Sequence, residues 1–491
     1  MENPVLAGLE PQAVFRFFEE LSRIPRESGH TAAVSAWVED FAKVRGLRHR
    51  RDALGNVVIW RDASPGYEDR PAVILQGHLD MVCVKEPDVD HDFTRDPIRL
   101  VLEDEWLRAE GTSLGGDDGA AAAMMLALLD DGTIPHPPLE AVFTVDEEIG
   151  LLGATALDCS DLKSRYLLNI DSEAEGVLTV GCAGGARCDI ERKLPMDKKE
   201  GNWTIKNGYS CFIHLEGFTG GHSGTEIHKG HANPIKLLAE CLLELGCPNL
   251  FWLRGGAQDN AIPQSASASI LARNEKEAQV LRARAEAWAE KKKAVCPMDP
   301  NFTLRWEDSG NSPSSHVMRR TVIRQIVWMI LDAPNGVLAM NPDLPDQVQT
   351  SLNLGIVDAG FSHHSAFHMS FSIRSSVAEE KEQIARRLEA LASAHGAEFS
   401  RRGDYPAWEY RKDSPLRDTM VEVFKEQYGR EPKVETIHAG LECGILTSKM
   451  PGLDAVSLGP DLVDIHTPRE RASISSLQRT WAYLTAVLAR L

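Results

Sequence analysis

The sequence predicts an α/β fold: a mixed, mainly parallel sheet flanked by helices, into which a separate α+β domain is inserted. Three observations carry this prediction. Helical and strand-like patterns alternate over the first part of the chain, as they do where helices wind around a sheet. At 491 residues the chain exceeds what one core usually serves, so two domains are expected. Beyond about residue 187 the texture turns to polar strands and long charged helices, and after about 400 it reverts. The expected division is therefore 1–186 with 401–491 as one domain, and 187–400 as the inserted one.

Taken in order, residues 11–23 form an amphipathic helix, and Ile24 to His30 a loop marked by Pro25 and Gly29. Val34, Trp37, Phe41 and Val44 follow at helical spacing. A short strand is expected at 56–60, and in the stretch 71–80 an apolar run ends on Gly77 and delivers His78 and Asp80 together on extended chain. The glycine-rich stretch 111–119 opens directly into an Ala-rich helix at 120–130, placing Asp117 and Asp118 at a helix N-terminus. Apolar strands at 139–145 and 166–170 then end on Asp146-Glu147-Glu148 and on Asp171. Within the insertion, strands are expected at 209–215, 349–354 and 366–373, and helices at 234–246, 275–294 and 378–395. A helix at 415–428 and a strand at 453–460, close before His466, complete the chain.

Composition excludes several classes of function. With 43% hydrophobic and 25% charged residues this is an ordinary globular chain. Its net charge of −19 argues against nucleic acid or an anionic membrane as partner. Nine scattered cysteines, an odd number without metal-type pairing, suit reduced thiols in a cytoplasm. Cys443 is read as a small buried hydrophobe rather than a nucleophile. The N-terminal stretch lacks a basic segment and is not a signal peptide, and the longest apolar run, Ala120 to Leu129, is too short to span a bilayer.

The chemistry lies in residues that recur at element ends. His78, Glu148, Asp171 and His466 each follow a strand-like run, and Asp117 precedes a helix. In an open α/β sheet the carboxyl ends of strands are where ligands gather. Two imidazoles and three carboxylates are too acidic for one structural zinc, but suit a pair of divalent ions sharing a carboxylate. His78 and Asp80, two apart on an extended chain, share a face, whereas Glu147 and Glu148 face opposite ways. Plainer roles remain open for single members: acids at a helix start serve as caps, and acids at a strand end are often simply solvated. A phosphate cradle at 111–119 is disfavoured, because two adjacent acids and no lysine would repel phosphate.

The motifs GHLDMV at 77–82, GTSLGGDDGA at 111–120, VDEEIGLLGA at 145–154, NIDSE at 169–173, GGHSG at 220–224 and GPDLVDIHTP at 459–468 resemble the di-zinc metallopeptidases of the aminoacylase and carboxypeptidase group. HDFTRDPI at 91–98, GCAGG at 181–185 and HAGLECG at 438–444 resemble, within that group, the aminoacyl-histidine dipeptidases, which are bacterial carnosinase-like enzymes. The resemblance implies two Zn2+ per chain, with Mn2+ or Co2+ also suited. His78 and Asp171 would hold one ion, Glu148 and His466 the other, and Asp117 would bridge them. It further implies that Asp80 orients His78, that Glu147 is the general base, and that His222 stabilises the tetrahedral intermediate. Asn260, Arg374 and Gly440 would bind substrate. The insertion would serve as a lid and dimerisation domain, giving a cytoplasmic homodimer that acts on small peptides.

The chain departs from the group at a few positions. Gly116-Asp117-Asp118 stands where relatives often carry Ala-Asp-Asn, His231 where arginine is common, and Gln264-Ser265 where Arg-Glu is frequent. These bear on substrate preference rather than metal binding. The function expected is hydrolysis of dipeptides, Xaa-His among them. Its alternatives are removal of an N-acyl group from amino acids, or a metal-bearing binding module without catalysis.

Overall fold

The computed structural model describes residues 4–194, 202–360 and 366–491. The chain divides into two compact units: Met1–Cys182, Trp408–Ile437 and Leu441–Leu491 form the first, and Ala183–Ala407 with His438–Gly440 the second.

The first unit is built on an 8-stranded sheet in the spatial order Arg48–Arg51, Val57–Arg61, Leu139–Thr144, Val73–His78, Tyr166–Asn169, Asp454–Ser457, Val177–Cys182, Lys433–Ile437. Its central strands run parallel: Val73–His78 pairs with both Leu139–Thr144 and Tyr166–Asn169, and the latter with Asp454–Ser457. Antiparallel pairings complete it towards Arg48–Arg51 and between Asp454–Ser457 and Val177–Cys182. Every residue of Val73–His78 and Leu139–Thr144 is buried, as in strands covered on both faces. Register aligns His78 with Thr144 and Gln76 with Asn169, so these strands end at one level. The segments leaving those ends carry His78, Glu147, Glu148 and Asp171.

One helix organises the core of this unit. From Ala120 to Leu129 no residue is more than 1% exposed, so the helix Gly116–Asp130 is apolar on all sides because it is surrounded on all sides. Alanine at 120–123 lets neighbours approach its backbone. Phe15, Phe17, Phe18 and Leu21 of helix Gln12–Ser22 share its cluster. Among the described residues no helix is long and apolar enough to cross a membrane.

The second unit is a 9-stranded antiparallel sheet with helices Pro234–Glu244, Glu275–Lys293, Arg320–Asp332 and Ala378–Ala394 packed into one cluster with it. Its first and last strands in sequence, Gly184–Lys193 and Glu398–Tyr405, pair with each other, Arg402 opposite Arg187. The chain thus enters and leaves this sheet on adjacent strands. The expected boundaries at 187 and 400 fall inside those strands, and the return of His438–Gly440 to this unit has no local sequence signal.

Helices Arg320–Asp332 and Ile474–Arg490 are absent from the sequence reading. In the first, β-branched residues mask a helical stripe of Val322, Ile323, Ile326, Val327 and Ile330, all buried. Asp117 and Asp118 precede the helical turns expected at 120–130. Asp117 (φ −83°, ψ 108°) and Asp118 (φ −112°, ψ 37°) are not helical, and they form a bend ahead of the regular turns.

Candidate metal centre

His78 is the last residue of its strand, and Asp80 lies beyond it in the following turn. The expectation that the pair share a strand face is therefore replaced by a turn that folds Asp80 back. The ring nitrogen Nδ1 of His78 donates to the Asp80 carbonyl oxygen at 3.1 Å and lies 3.5 Å from its carboxylate. With Nδ1 so engaged, Nε2 carries the lone pair available to a cation. Asp80, fully buried, also accepts from the Ser28 hydroxyl at 2.8 Å and from the backbone N–H groups of Glu147 at 3.1 Å and Glu148 at 3.3 Å. One carboxylate thus ties the His78 turn to the loop carrying the two glutamates.

That loop departs from extended geometry as well. The strand stops at Thr144, and Asp146 takes a positive φ of 56°, its carboxylate accepting from the Gly29 N–H at 2.7 Å. Glu147 and Glu148 are consequently separated by a turn, not by strand alternation. Asp464 and His466 also have positive φ, 55° and 60°. Such backbone is uncommon for non-glycine residues and persists where surrounding structure enforces it.

Asp117 occupies the centre. Its Oδ1 lies 3.0 Å from His78 Nε2, and its Oδ2 lies 3.2 Å from His466 Nε2. His78 Nε2 also lies 3.5 Å from Asp171 Oδ1, and His466 Nε2 lies 2.8 Å from Glu148 Oε1. Donor atoms held about 2.0–2.2 Å from one tetrahedral ion stand about 3.3 Å apart, so these separations fit pairs of groups sharing a cation. The donor set fits two divalent ions, with one oxygen of Asp117 turned to each imidazole. Glu147 groups with His78 and Glu148 within 4.8 Å, but is paired with neither imidazole above.

Asp118 also comes near His78 and Asp171. Its Oδ2 accepts the backbone N–H of His78 at 3.1 Å, and its Oδ1 faces the Ala121 N–H at 3.4 Å, which is the capping role. Gly77 makes room for it: a Cβ there would stand 2.5 Å from Asp118 Oδ2 and 2.6 Å from the Ala121 methyl.

The electrostatics are those of a site short of positive charge. Burial opposes a charge on His78, yet hydrogen bonds to Asp117, Asp171 and Asp80 hold its pKa well above the ordinary imidazole value. Hydrogen bonds to Asp117 and then Glu148 push His466 up to about 10. Burial, then the Asp171 charge, raises Asp118 well above the carboxylate range, and burial raises Glu147 likewise. His78 is 1% exposed and His466 43%, so the cluster is closed at the back and open to solvent at His466.

Beneath the cluster lies a buried polar chain that sequence reasoning missed. Glu442 Oε2 accepts from Gln76 at 2.6 Å and from Thr144 at 2.5 Å, and Gln76 in turn accepts from Asn169 at 2.7 Å. Burial pushes Glu442 up to about 7. Its place in HAGLECG was the available signal. Cys443 beside it is fully buried, and burial holds its thiol far from ionisation.

The second unit assembles the other expected residues. Gly221–His222 pairs with Ala261–Ile262, and the Ser223 N–H donates to the Asn260 carbonyl at 2.9 Å. Together they border a cleft of about 480 Å³ that is also lined by Pro263, Gln264 and Ser265. His231 lies instead 3.7 Å from buried Asp299. The His222 Nδ1 accepts from the Thr225 N–H at 3.3 Å, which leaves the ring proton on Nε2. Burial, then the Arg374 charge, lowers the His222 pKa and keeps the ring neutral. Arg374 Nη2 stands 3.5 Å from that Nε2, so two donors lie side by side, as an oxyanion or carboxylate requires. Arg374 Nη1 donates to Tyr405 Oη at 3.1 Å, a partner the sequence did not announce. Gly440 packs on the same ring, where a Cβ would approach Tyr405 Cε2 to 2.7 Å.

The sequence model of peptidase family M20/M25/M40 matches residues 74–490. The chain is 35% identical over 491 residues to the cytosol non-specific dipeptidase of Escherichia coli (strain K12), covering 98% of each. It superposes on the crystal structure of aminoacylhistidine dipeptidase from Vibrio alginolyticus with a TM-score of 0.91 at 33% identity, covering 99% of this chain and 98% of that one. Aminopeptidase PepT from Bacillus cereus ATCC 10987 shares the fold at a TM-score of 0.54 and 16% identity.

Proposed function

The chain belongs to peptidase family M20/M25/M40, and from that membership we propose that it is a metal-dependent dipeptidase acting on short unblocked peptides, Xaa-His among them. The observation that carries this reading is the Asp117 carboxylate, with one oxygen facing each of two histidines that are themselves paired with Asp171 and Glu148. In this reading His78 and Asp171 would hold one ion, Glu148 and His466 the other, and Asp117 would be shared between them. Zinc is the proposed metal, and manganese or cobalt also suits the ligand set. When bound, such ions bring the pKa of water towards neutrality and polarise the peptide carbonyl.

The protein's own groups do the rest. Asp80 fixes the His78 ring through the adjoining turn and holds the Glu147 backbone. Glu147 takes the proton of the attacking water and returns it to the departing amine nitrogen as the C–N bond breaks. In the second unit His222 Nε2–H supplies a hydrogen bond to developing negative charge, and Arg374 receives the C-terminal carboxylate of the peptide. Asn260 and the Gly440 backbone complete the substrate contacts. Gln264 and Ser265, lining the same cleft as Asn260, set side-chain preference. A cytoplasmic homodimer is the proposed state, and the second unit exposes the large apolar side chains of Trp328, Val337, Leu338 and Met340.

The test is a hydrolysis screen of Xaa-His, other dipeptides and N-acyl amino acids on metal-loaded protein, before and after chelation. Dipeptides are expected to be cleaved, and chelation to abolish the activity reversibly. A preference for N-acyl amino acids would turn the reading to an amidohydrolase. Arg374→Met is expected to raise KM for dipeptides about 100-fold, as loss of a buried charge partner does. Dipeptide amides, which lack the carboxylate, should be indifferent to that change, and an equal effect on both would remove Arg374 from this role.

A further inference from the structure

We propose that Glu470, acting with Arg26, is the positioning residue that sets the bridging carboxylate of Asp117, by gripping the backbone of the loop from which Asp117 projects. The inference rests on the metal reading above and adds to it a group outside the ligand set. Glu470 is 2% exposed and lies four residues after His466. Its Oε2 accepts the N–H groups of Leu114 at 2.8 Å and Gly115 at 3.0 Å, and its Oε1 those of Gly116 at 2.7 Å and Asp117 at 3.3 Å. Four consecutive backbone donors turned onto one carboxylate form an anion nest closed by a side chain of the protein itself.

Gly115 and Gly116 of the GTSLGGDDGA stretch leave room for Arg26 and Glu470. Gly115 has a φ of +69°, and a Cβ on it would stand 2.3 Å from Arg26 Nη2. A Cβ on Gly116 would stand 3.3 Å from Glu470 Oε1. Arg26, also 2% exposed, holds the loop from its other side. Its Nη2 donates to the Gly115 carbonyl, and its Nη1 to the carbonyls of Leu79 at 3.0 Å and Asp80 at 3.1 Å. The turn after His78 and the loop before Asp117 are thus tied to one guanidinium, and that loop and the His466 segment to one carboxylate.

The grip is needed because the helix does not supply it. Asp117 and Asp118 lie outside helical geometry, so no run of helical hydrogen bonds aims the Asp117 side chain. Groups that orient a ligand from behind tune metal affinity and reactivity without touching the ion. Replacing the Glu470 carboxylate by an amide puts an N–H2 among N–H donors, which the nest cannot accommodate.

The experiment uses cobalt(II), added to metal-free full-length protein and followed by chelator competition and by its visible absorption band. Glu470→Gln is expected to weaken cobalt binding about 10- to 100-fold, to shift the band, and to lower kcat with KM nearly unchanged. Glu470→Asp, which keeps the charge, is expected to recover part of each and serves if the amide variant does not fold. Leu488→Ala, a cavity in the same unit's core, controls for general destabilisation and is expected to keep wild-type affinity and band. Wild-type cobalt binding in Glu470→Gln would overturn the inference alone. So would an equal loss in Leu488→Ala. Failure of the unaltered protein to bind cobalt would instead bring down the metal reading on which it rests.

Discussion

Glu147→Gln is expected to lower kcat about a thousandfold while both ions stay bound and KM changes little. Loss of a positioned general base costs about 10²- to 10⁴-fold, and here the same group serves both water and leaving amine. Glutamine keeps the volume and the backbone N–H that donates to Asp80 Oδ1 at 3.1 Å, so the loop has no reason to move. What is lost is the ability to accept a proton. Metal analysis beside steady-state kinetics checks the result, and a variant that keeps activity within tenfold of the parent would dismiss Glu147 as the base.

Asp117→Ala has the largest expected effect on metal content. Without it no carboxylate faces both His78 and His466, and each ion would keep only one acid and one imidazole, too few to retain a divalent cation against competition. Binding of both ions is expected to weaken by more than the ~100-fold typical of supporting groups, and hydrolysis should not return on adding excess zinc. The rise in Tm that metal gives the parent protein should vanish too, since a ligand stabilises only the state it binds. Retention of one tightly held ion would show that Asp117 serves a single site.

These expectations rest on residues whose readability in the sequence was uneven. His78, Glu148 and Asp171 stood out because apolar runs ended on or just before them, and parallel strands in register do deliver their ends to one level. His466 likewise followed a strand-like run, and Asp117 preceded a helix. Local rules failed once the chain left its strands: Asp80 and the two glutamates were read on extended geometry, but turns place them, and the Asp80 carboxylate is shared among Ser28, His78 and two backbone amides. Arg26, Glu442 and Glu470 act across 53 to 366 residues of sequence, where no period or spacing links partners. Tyr405 escaped notice for the same reason, since its meaning depends on Arg374 lying beside it. The helix Arg320–Asp332 was hidden differently, by β-branched residues whose helical stripe only packing makes decisive.

Five side chains are proposed to hold two ions around one shared carboxylate. Metal analysis of protein made metal-free and reloaded with zinc tests it most directly, with dipeptide hydrolysis followed at each equivalent added. Two zinc ions per chain, and no activity in the metal-free protein, are expected. Undiminished hydrolysis by the metal-free protein, or saturation at a single ion in the presence of intact Asp117, would contradict this arrangement.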